Sequence, residues 1–424
     1  MAVISLLCLA FVIFCGAKFK KNCGILAVVF AYLVGIFGLG MKAKAIYVDG
    51  WPSNVIFTTL GVCLLFGIAN ANGTTERLAR SIVYFARGNR KVLPIIFFLF
   101  CAVLSGIGGG APLCGLLLPL AMTIGVQNAI PPMVMAIMSM GGLMVGGMSP
   151  LALNGIVASG LAAEVGVVGY TPIFLAYGLC MTVFSFGAYF LLGGWKLRRD
   201  DQVITGTLEK LSVKQVITLT AIFAVLVGTL AFQQEISLLA YALAGVLLLM
   251  DFAEEKSVIR SMPWNTVLMI AGMSIFVHVV VEAGGIDLLS EKVSALMNST
   301  TVYPVMMICG ALLGAVSSGT GVAMPTLIPA CAAIAEQMGS AVSLSTLVLC
   351  VCVGINGVVI SPLSTVGGMC LAGTPESVDK QKMFTQLLLT ALLFIAFTAL
   401  LGLLGFFKLF AFCAFILERG VHHA

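Results

Sequence analysis

The chain has 424 residues, of which 60% are apolar and 9% charged, with 22 Lys and Arg against 17 Asp and Glu. A soluble domain carries about 25% charged and about 45–50% apolar residues, so this composition excludes a cytosolic enzyme, a secreted disulfide domain, a disordered chain and a nucleic-acid binder. A bilayer-spanning helix needs about 20 apolar residues, and the chain has room for about ten.

The opening segment, 1–17, is apolar but lacks a basic n-region and a clear cleavage site. It reads as a retained first helix rather than a signal peptide. Further spans are predicted at 24–41 and 54–71. Thr74–Arg90 is amphipathic, with Arg77, Arg80, Tyr84 and Arg87 on one helical face and Leu78, Ile82 and Phe85 on another. Such a helix lies in the membrane interface. The stretch 92–126 is apolar but broken at Ser105–Pro112. Its arms, of about 14–16 residues, are short for a full span and suit a re-entrant hairpin whose tip stops near the midplane. A second broken segment, 131–160, is interrupted at Gly146–Pro150, and a full span closes the half at 172–194.

Past a predicted cytoplasmic linker, 201–211, the same order returns. Spans are expected at 212–231, 236–251 and 264–281, then an amphipathic Gly285–Asn298. A hairpin 302–338 broken at Ser317–Pro325, a broken helix 343–373 interrupted at Asn356–Pro362, and a last span at 383–411 follow. Pro94 answers Pro304, Ser149-Pro150 answers Ser361-Pro362, Trp51 answers Trp264 and Gly73 answers Gly284, at offsets of 210–213 in a chain whose half is 212. Self-similarity at one period signals a repeat architecture.

Because hairpins return to the side they enter, each copy crosses five times and the second is inserted upside down. The expected fold is an all-α integral membrane protein of two inverted repeats, 1–200 and 212–424. Each repeat holds five transmembrane helices, one broken, and a re-entrant hairpin. Secondary transporters use this design, with the site at the midplane where broken helices meet. The charges support it. With both termini outside, 17 of the 22 basic residues fall on the inner side, among them Lys18, Arg77, Lys91, Arg198, Lys214, Arg260 and Lys380. Only Lys42, Lys44, Lys292, Lys408 and Arg419 fall outside, which satisfies the positive-inside rule. The expected location is the inner (plasma) membrane.

Unwound backbone in a bilayer must be satisfied by protein, water or ligand. Helix N-termini after each break present bare N–H groups that attract carboxylates, while freed carbonyls with Ser, Thr and Asn oxygens suit a hard cation such as sodium. Plain helix packing also uses small residues, and it is the better reading of any single glycine here. The four matched breaks as a set point to function. No Asp, Glu, Lys or Arg falls at the centre of a predicted span, whereas a proton relay normally needs one. Sodium is therefore preferred to protons as the coupling ion. His278 reads as a packed histidine, Glu282 and Glu336 as interfacial, and His422 and His423 as a solvated tail. The thirteen Cys form no Cys-x-x-Cys pair and read as small apolar residues. There is no Walker lysine loop, no His-Glu-x-x-His and no Gly-x-Ser-x-Gly, so nothing supports an enzyme.

Three runs carry a family resemblance: Phe57-Thr-Thr-Leu-Gly-Val-Cys-Leu-Leu-Phe-Gly-Ile-Ala-Asn-Ala-Asn-Gly73, Gly146-Gly-Met-Ser-Pro-Leu-Ala-Leu-Asn-Gly155 and Ser361-Pro-Leu-Ser-Thr-Val-Gly367. They resemble the MatC-type malonate/dicarboxylate carriers, which belong to the ion-transporter superfamily with the divalent-anion:sodium symporters. The resemblance implies a homodimer whose scaffold domain holds a mobile transport domain that slides as an elevator. It implies a dicarboxylate held by Gly109, Gly110, Ser149, Asn154, Thr320, Ser364 and Thr365. It also implies sodium ions held by Ser105, Gly108, Gly147, Ser317, Ser318, Asn356 and Ser361, with no other metal and no cofactor. The symporter relatives carry Ser-Asn-Thr at both hairpin tips; here Gly108-Gly109-Gly110 and Ser318-Gly319-Thr320 stand instead. The rival readings are the same fold with proton coupling, exchange or another anion, such as a sulfonate or tricarboxylate, and an anion channel, for which no charged ring is present to line a pore.

Overall fold

A computed structural model describes the chain apart from residues 20, 75–76, 78–88, 109, 198–209, 233, 287, 289–290, 292–296, 317, 363 and 408–424. The described residues form helices and no strands. A helix satisfies every backbone N–H and C=O within its own segment, which hydrocarbon demands. The first half contains α1 (Ala2–Phe19), α2 (Cys23–Tyr32), α3 (Ala43–Asp49), α4 (Ser53–Ala71), α5 (Val92–Gly106), α6 (Gly110–Gln127), α7 (Pro132–Gly147), α8 (Leu153–Glu164) and α9 (Thr171–Leu191). The second contains α10 (Val213–Phe232), α11 (Ile236–Leu249), α12 (Glu255–Ser261), α13 (Trp264–Glu282), α14 (Val302–Val316), α15 (Met324–Met338), α16 (Leu344–Gly357), α17 (Thr365–Ala372) and α18 (Lys380–Leu403).

Within each of the four segments expected to be broken, one helix stops and another starts (α5 and α6, α7 and α8, α14 and α15, α16 and α17), with differences in detail. The predicted span 24–41 is not one regular helix: α2 gives way to a π-helical turn at Leu33–Gly38. The short helices α3 and α12 were not expected, because seven residues are too few for an apolar period to declare itself. Each leads to a proline that starts the next span, Pro52 before α4 and Pro263 before α13, in nearly the same backbone conformation. Matching these prolines sets the local offset at 211, so the Trp51–Trp264 pairing is a slipped echo. The break in the second hairpin is shorter than Ser317–Pro325, because Gly319–Ala323 winds into a π-helical turn. There the N–H groups of Val322 and Ala323 both donate to the Ser318 carbonyl. The last helix starts early, with the Asp379 carboxylate accepting from Lys382 N–H, and runs to Leu403, before Gly405 at φ +76°; the predicted end of this span, at 411, lies outside the described residues. Most of the amphipathic segments 74–90 and 285–298, and of the linker 201–211, lies outside the described residues.

Many of the helix contacts between and within the halves come in matched pairs. Helix α5 packs on α7 as α14 packs on α16, and α2 packs on α13 as α11 packs on α4. Likewise α6 meets α17 as α15 meets α8, and α3 meets α13 as α12 meets α4. Exchanging the halves maps each of these contacts onto its partner, whereas α14 packs on α18 without a comparable α5–α9 contact. The closest approaches match too. A methyl group at Gly142 would lie 2.1 Å from the Phe98 carbonyl oxygen, and one at Gly354 2.0 Å from that of Met307. Small residues at these crossings let backbones touch where water-driven burial is absent.

The buried apolar side chains of the hairpins, broken helices, α9 and α18 form one large cluster. Two smaller clusters are built mainly from α1, α2 and α13, and from α4, α10 and α11. Large apolar residues stay exposed along the outer helices, such as Leu7, Phe11 and Phe14 on α1 and Leu389, Leu393 and Leu400 on α18. A continuous apolar exterior of this kind suits lipid, not water. Thr171–Leu191, Lys380–Leu403 and, counted across its break, Leu344–Ala372 are long and apolar enough to cross a membrane, and ten shorter apolar helices accompany them among the described residues.

Segments grouped on one side by their charge meet in space. Arg77 Nη2 donates to the Lys210 carbonyl at 3.2 Å, and Lys214 Nζ to that of Asp251 at 2.6 Å. Tyr189 OH donates to the Lys91 carbonyl at 3.0 Å, and Asn22 Nδ2 to that of Asn265 at 2.8 Å.

Candidate functional site

The first hairpin tip meets the first helix break. Ser105, at the end of α5, donates to the Leu143 carbonyl of α7 at 2.8 Å, which ties the hairpin arm to the broken helix. Beyond it, Gly106 offers its carbonyl to the Ser149 hydroxyl, which also accepts from Leu151 N–H at 3.2 Å. Gly108 takes φ +99°, and a side chain there would strike the Phe66 ring at 2.5 Å and the Leu151 carbonyl at 2.8 Å, so glycine is required. The break itself, Met148–Ala152, is partly satisfied by Tyr170, whose hydroxyl donates to the Met148 carbonyl at 3.0 Å. Sequence reasoning missed Tyr170, because a tyrosine at the start of a span is also what an interfacial anchor looks like.

The second break repeats the design. Ser149 N–H donates to the Gly146 carbonyl at 2.8 Å, and Ser361 N–H to that of Val358 at 2.9 Å. Gly155 and Gly367 sit equally tightly against the carbonyls of Ser149 and Ser361. Ser364 caps α17: it donates to the Val359 carbonyl at 2.6 Å and accepts from Gly367 N–H at 3.0 Å. Ser318 likewise accepts from Gly321 N–H at 3.1 Å at the second tip. The hydroxyls of Ser149, Ser318 and Ser364 thus hold backbone that the breaks leave bare. Ser361 is buried.

Many hydroxyls in the spans bond back to their own helix, as Thr182, Thr218, Thr326 and Thr398 do to the carbonyl four residues earlier. Others do not, among them the buried Thr59 and Thr346 and two threonines beside the breaks. Thr320, half-buried in the second tip, and Thr365, exposed at the start of α17, have no hydrogen-bond partner among the described residues. The second tip packs on α8, α13, α15 and α16, whereas α17 packs on α6. The two threonines therefore border different elements of the first half.

The halves meet at a pair of asparagines. Asn154 Nδ2 donates to Asn356 Oδ1 at 3.3 Å. Asn356 is buried and donates from its own amide to the Cys352 carbonyl at 2.8 Å, with Met148 Sδ at 3.3 Å. The pair is separated by 202 residues, not by the repeat offset, so no periodic signal could have joined them. His278, as expected of a packed histidine, lies half-buried against Gly50. Gly109 and Ser317 fall outside the described residues; Gly110 opens α6. Among the described residues no group of His, Cys, Asp or Glu could hold a metal ion.

Matched hairpins, broken helices and an apolar exterior define a multi-pass, all-helical membrane protein with polar backbone gathered at buried helix breaks. Within that class, the family model of the dicarboxylate carrier protein MatC N-terminus matches residues 1–147. The resemblance to MatC-type carriers read from the sequence is thus shown over those residues. In fold the chain is similar to the Alcanivorax borkumensis YdaH transporter, whose crystal structure is described as having an unusual topology. The TM-score is 0.60 at 15% identity, covering 88% of each chain. No curated protein sequence matches the chain.

Proposed function

We propose that the protein is a secondary active transporter of a small dicarboxylate, such as malonate or a C4-dicarboxylate, by sodium symport. The observation that carries the reading is the joining of two helix breaks, one from each half, through Asn154 and Asn356 inside an apolar protein. Non-helical backbone and amide side chains at membrane depth need a ligand or a cavity to justify them. The family match over residues 1–147 supports a dicarboxylate as the cargo. The fold shared with a transporter supports carriage over an enzymatic role.

In this reading the halves are inverted repeats, and the matched helix contacts are what a two-fold axis lying in the membrane plane produces. The large cluster of hairpins and broken helices is the transport domain, and the smaller clusters form the scaffold against which it slides as an elevator. The substrate carboxylates take backbone N–H groups of the tips, including Gly109 and Gly110, with Asn154, Thr320 and Thr365; Ser149 and Ser364 hold the surrounding backbone in shape. Sodium sits among oxygens near Ser105, Gly108 and Gly147 and near Ser317, Ser318 and Ser361. The protein works as a homodimer in the inner (plasma) membrane, with both termini outside.

Uptake of radiolabelled malonate and succinate into proteoliposomes tests the reading. Uptake should saturate, show counterflow and require an inward sodium gradient. Full uptake on a proton gradient alone would overturn sodium coupling and bring Glu336 and His278 back into consideration. Currents far above carrier turnover would instead indicate a channel.

A further inference from the structure

The asparagine pair has a direction. Asn356 is 3% exposed, and its amide group is fully engaged: one end donates to Cys352 of its own helix, the other accepts from Asn154. Bonding to its own helix four residues back fixes its rotamer, and its carbonyl in turn fixes Asn154. Asn154 is half-buried, and its second N–H and its carbonyl have no partner among the described residues. The Asn154 amide nitrogen lies beside a glycine, Gly147. Outside its own helix, and among the described residues, a methyl group at Gly147 would meet only Ser105 Oγ at 3.5 Å and Asn154 Nδ2 at 3.8 Å, both ordinary contacts. At Gly142, Gly146 and Gly155 of the same broken helix, the added methyl would lie within 2.5 Å of backbone oxygen. Among the described residues Gly147 is therefore not at a tight helix crossing, and it faces a polar recess formed with Ser105 Oγ and Asn154 Nδ2.

We propose that Asn154 is a specificity-determining donor to a carboxylate oxygen of the substrate in this recess, and that Asn356 is its positioning residue, contributed by the opposite half. The inference rests on the dicarboxylate reading above. It replaces a direct sodium role for Asn356 with an indirect one: its carbonyl orients Asn154 and its amide is held by its own helix. A neutral amide suits the task, because it donates to an anion at membrane depth without burying an unpaired charge. A hydrogen bond linking the halves also makes occupancy on one side of the pair felt on the other, and such coupling is reciprocal.

The test is a double-mutant cycle read by calorimetric binding of malonate and of succinate to the purified full-length protein in detergent with sodium. Asn154→Ala and Asn356→Ala should each raise Kd about tenfold. The double variant should be no weaker than Asn154→Ala alone, because Asn356 acts only through it. Additive losses would overturn the positioning role, and parent-like affinity of Asn154→Ala would overturn the donor role. Gly147→Ala gives a second readout that does not disturb the pair. It should keep the parent's melting temperature without ligand and lose binding at least tenfold; parent-like binding would show that the recess is not the site. If the parent protein itself binds neither acid, the dicarboxylate reading fails and this inference falls with it. Binding by the parent with an additive cycle overturns the inference alone.

Discussion

Replacing Gly142 by alanine should loosen the first hairpin from its broken helix, and Gly354→Ala should do the same in the second half. The new methyl groups would lie 2.1 Å from the Phe98 carbonyl oxygen and 2.0 Å from that of Met307. An unstrained carbon–oxygen contact is roughly 3.3 Å, so α7 must shift from α5, and α16 from α14, by about 1 Å. A carbonyl on a hydrogen-bonded helix cannot swing aside as a side chain can. The cost therefore falls at the upper end of the usual overpacking penalty, about 3 kcal/mol. Against this stands the better helix propensity of alanine, about 1 kcal/mol. The net loss is about 2 kcal/mol at each site. Gly187→Ala on α9 and Gly245→Ala on α11 are the controls, because among the described residues no atom outside its own helix lies within 4 Å of either new methyl. They should be neutral or gain up to about 1 kcal/mol from propensity alone. Unfolding can be followed with a thiol-reactive dye as buried cysteines such as Cys101, Cys350 and Cys352 become accessible. The expected result is a lower melting midpoint for Gly142→Ala and Gly354→Ala and an equal or higher one for the controls. If all four variants melt together, these helix crossings are not as tight as described.

The free threonines provide a test of the site that leaves the fold alone. Thr320→Val and Thr365→Val each remove one hydrogen bond to a charged group, worth about 1.5–3 kcal/mol, so malonate or sodium affinity should fall roughly ten- to a hundredfold. Thr220→Ala on α10, whose hydroxyl bonds only to the Val216 carbonyl at 2.9 Å, should change neither; parent-like affinity in both valine variants would remove the threonines from the site. The topology is checked with Glu164→Cys and Lys214→Cys, which should react with an impermeant maleimide from opposite faces of oriented vesicles. Labelling of both from one face would rule out five crossings per half.

Composition and pattern alone determined the class of protein and most of its layout. Sixty per cent apolar residues can be satisfied only by a bilayer. The glycines and prolines inside those stretches marked both hairpins and both broken helices, because backbone that cannot stay helical must be punctuated by such residues. The repeat anchors Pro94 and Pro304, or Ser149 and Ser361, were legible because the same local geometry needs the same residue in each half. Short features escaped: α3 and α12 are too brief to show a period, and the π-helical turns at Leu33–Gly38 and Gly319–Ala323 differ from an α-helix by one hydrogen-bond register, which side-chain pattern does not record. Which partner each polar residue meets was decided only in three dimensions. The family resemblance implied substrate contacts for Ser149, Ser364, Thr320 and Thr365; the serine hydroxyls bond backbone carbonyls, while the two threonines have no hydrogen-bond partner among the described residues. Asn154 and Asn356 were brought together from opposite halves. A hydroxyl or amide carries the same chemistry wherever it stands; its role depends on which partner comes within about 3 Å, and over two hundred residues of chain that distance is set by how the helices pack.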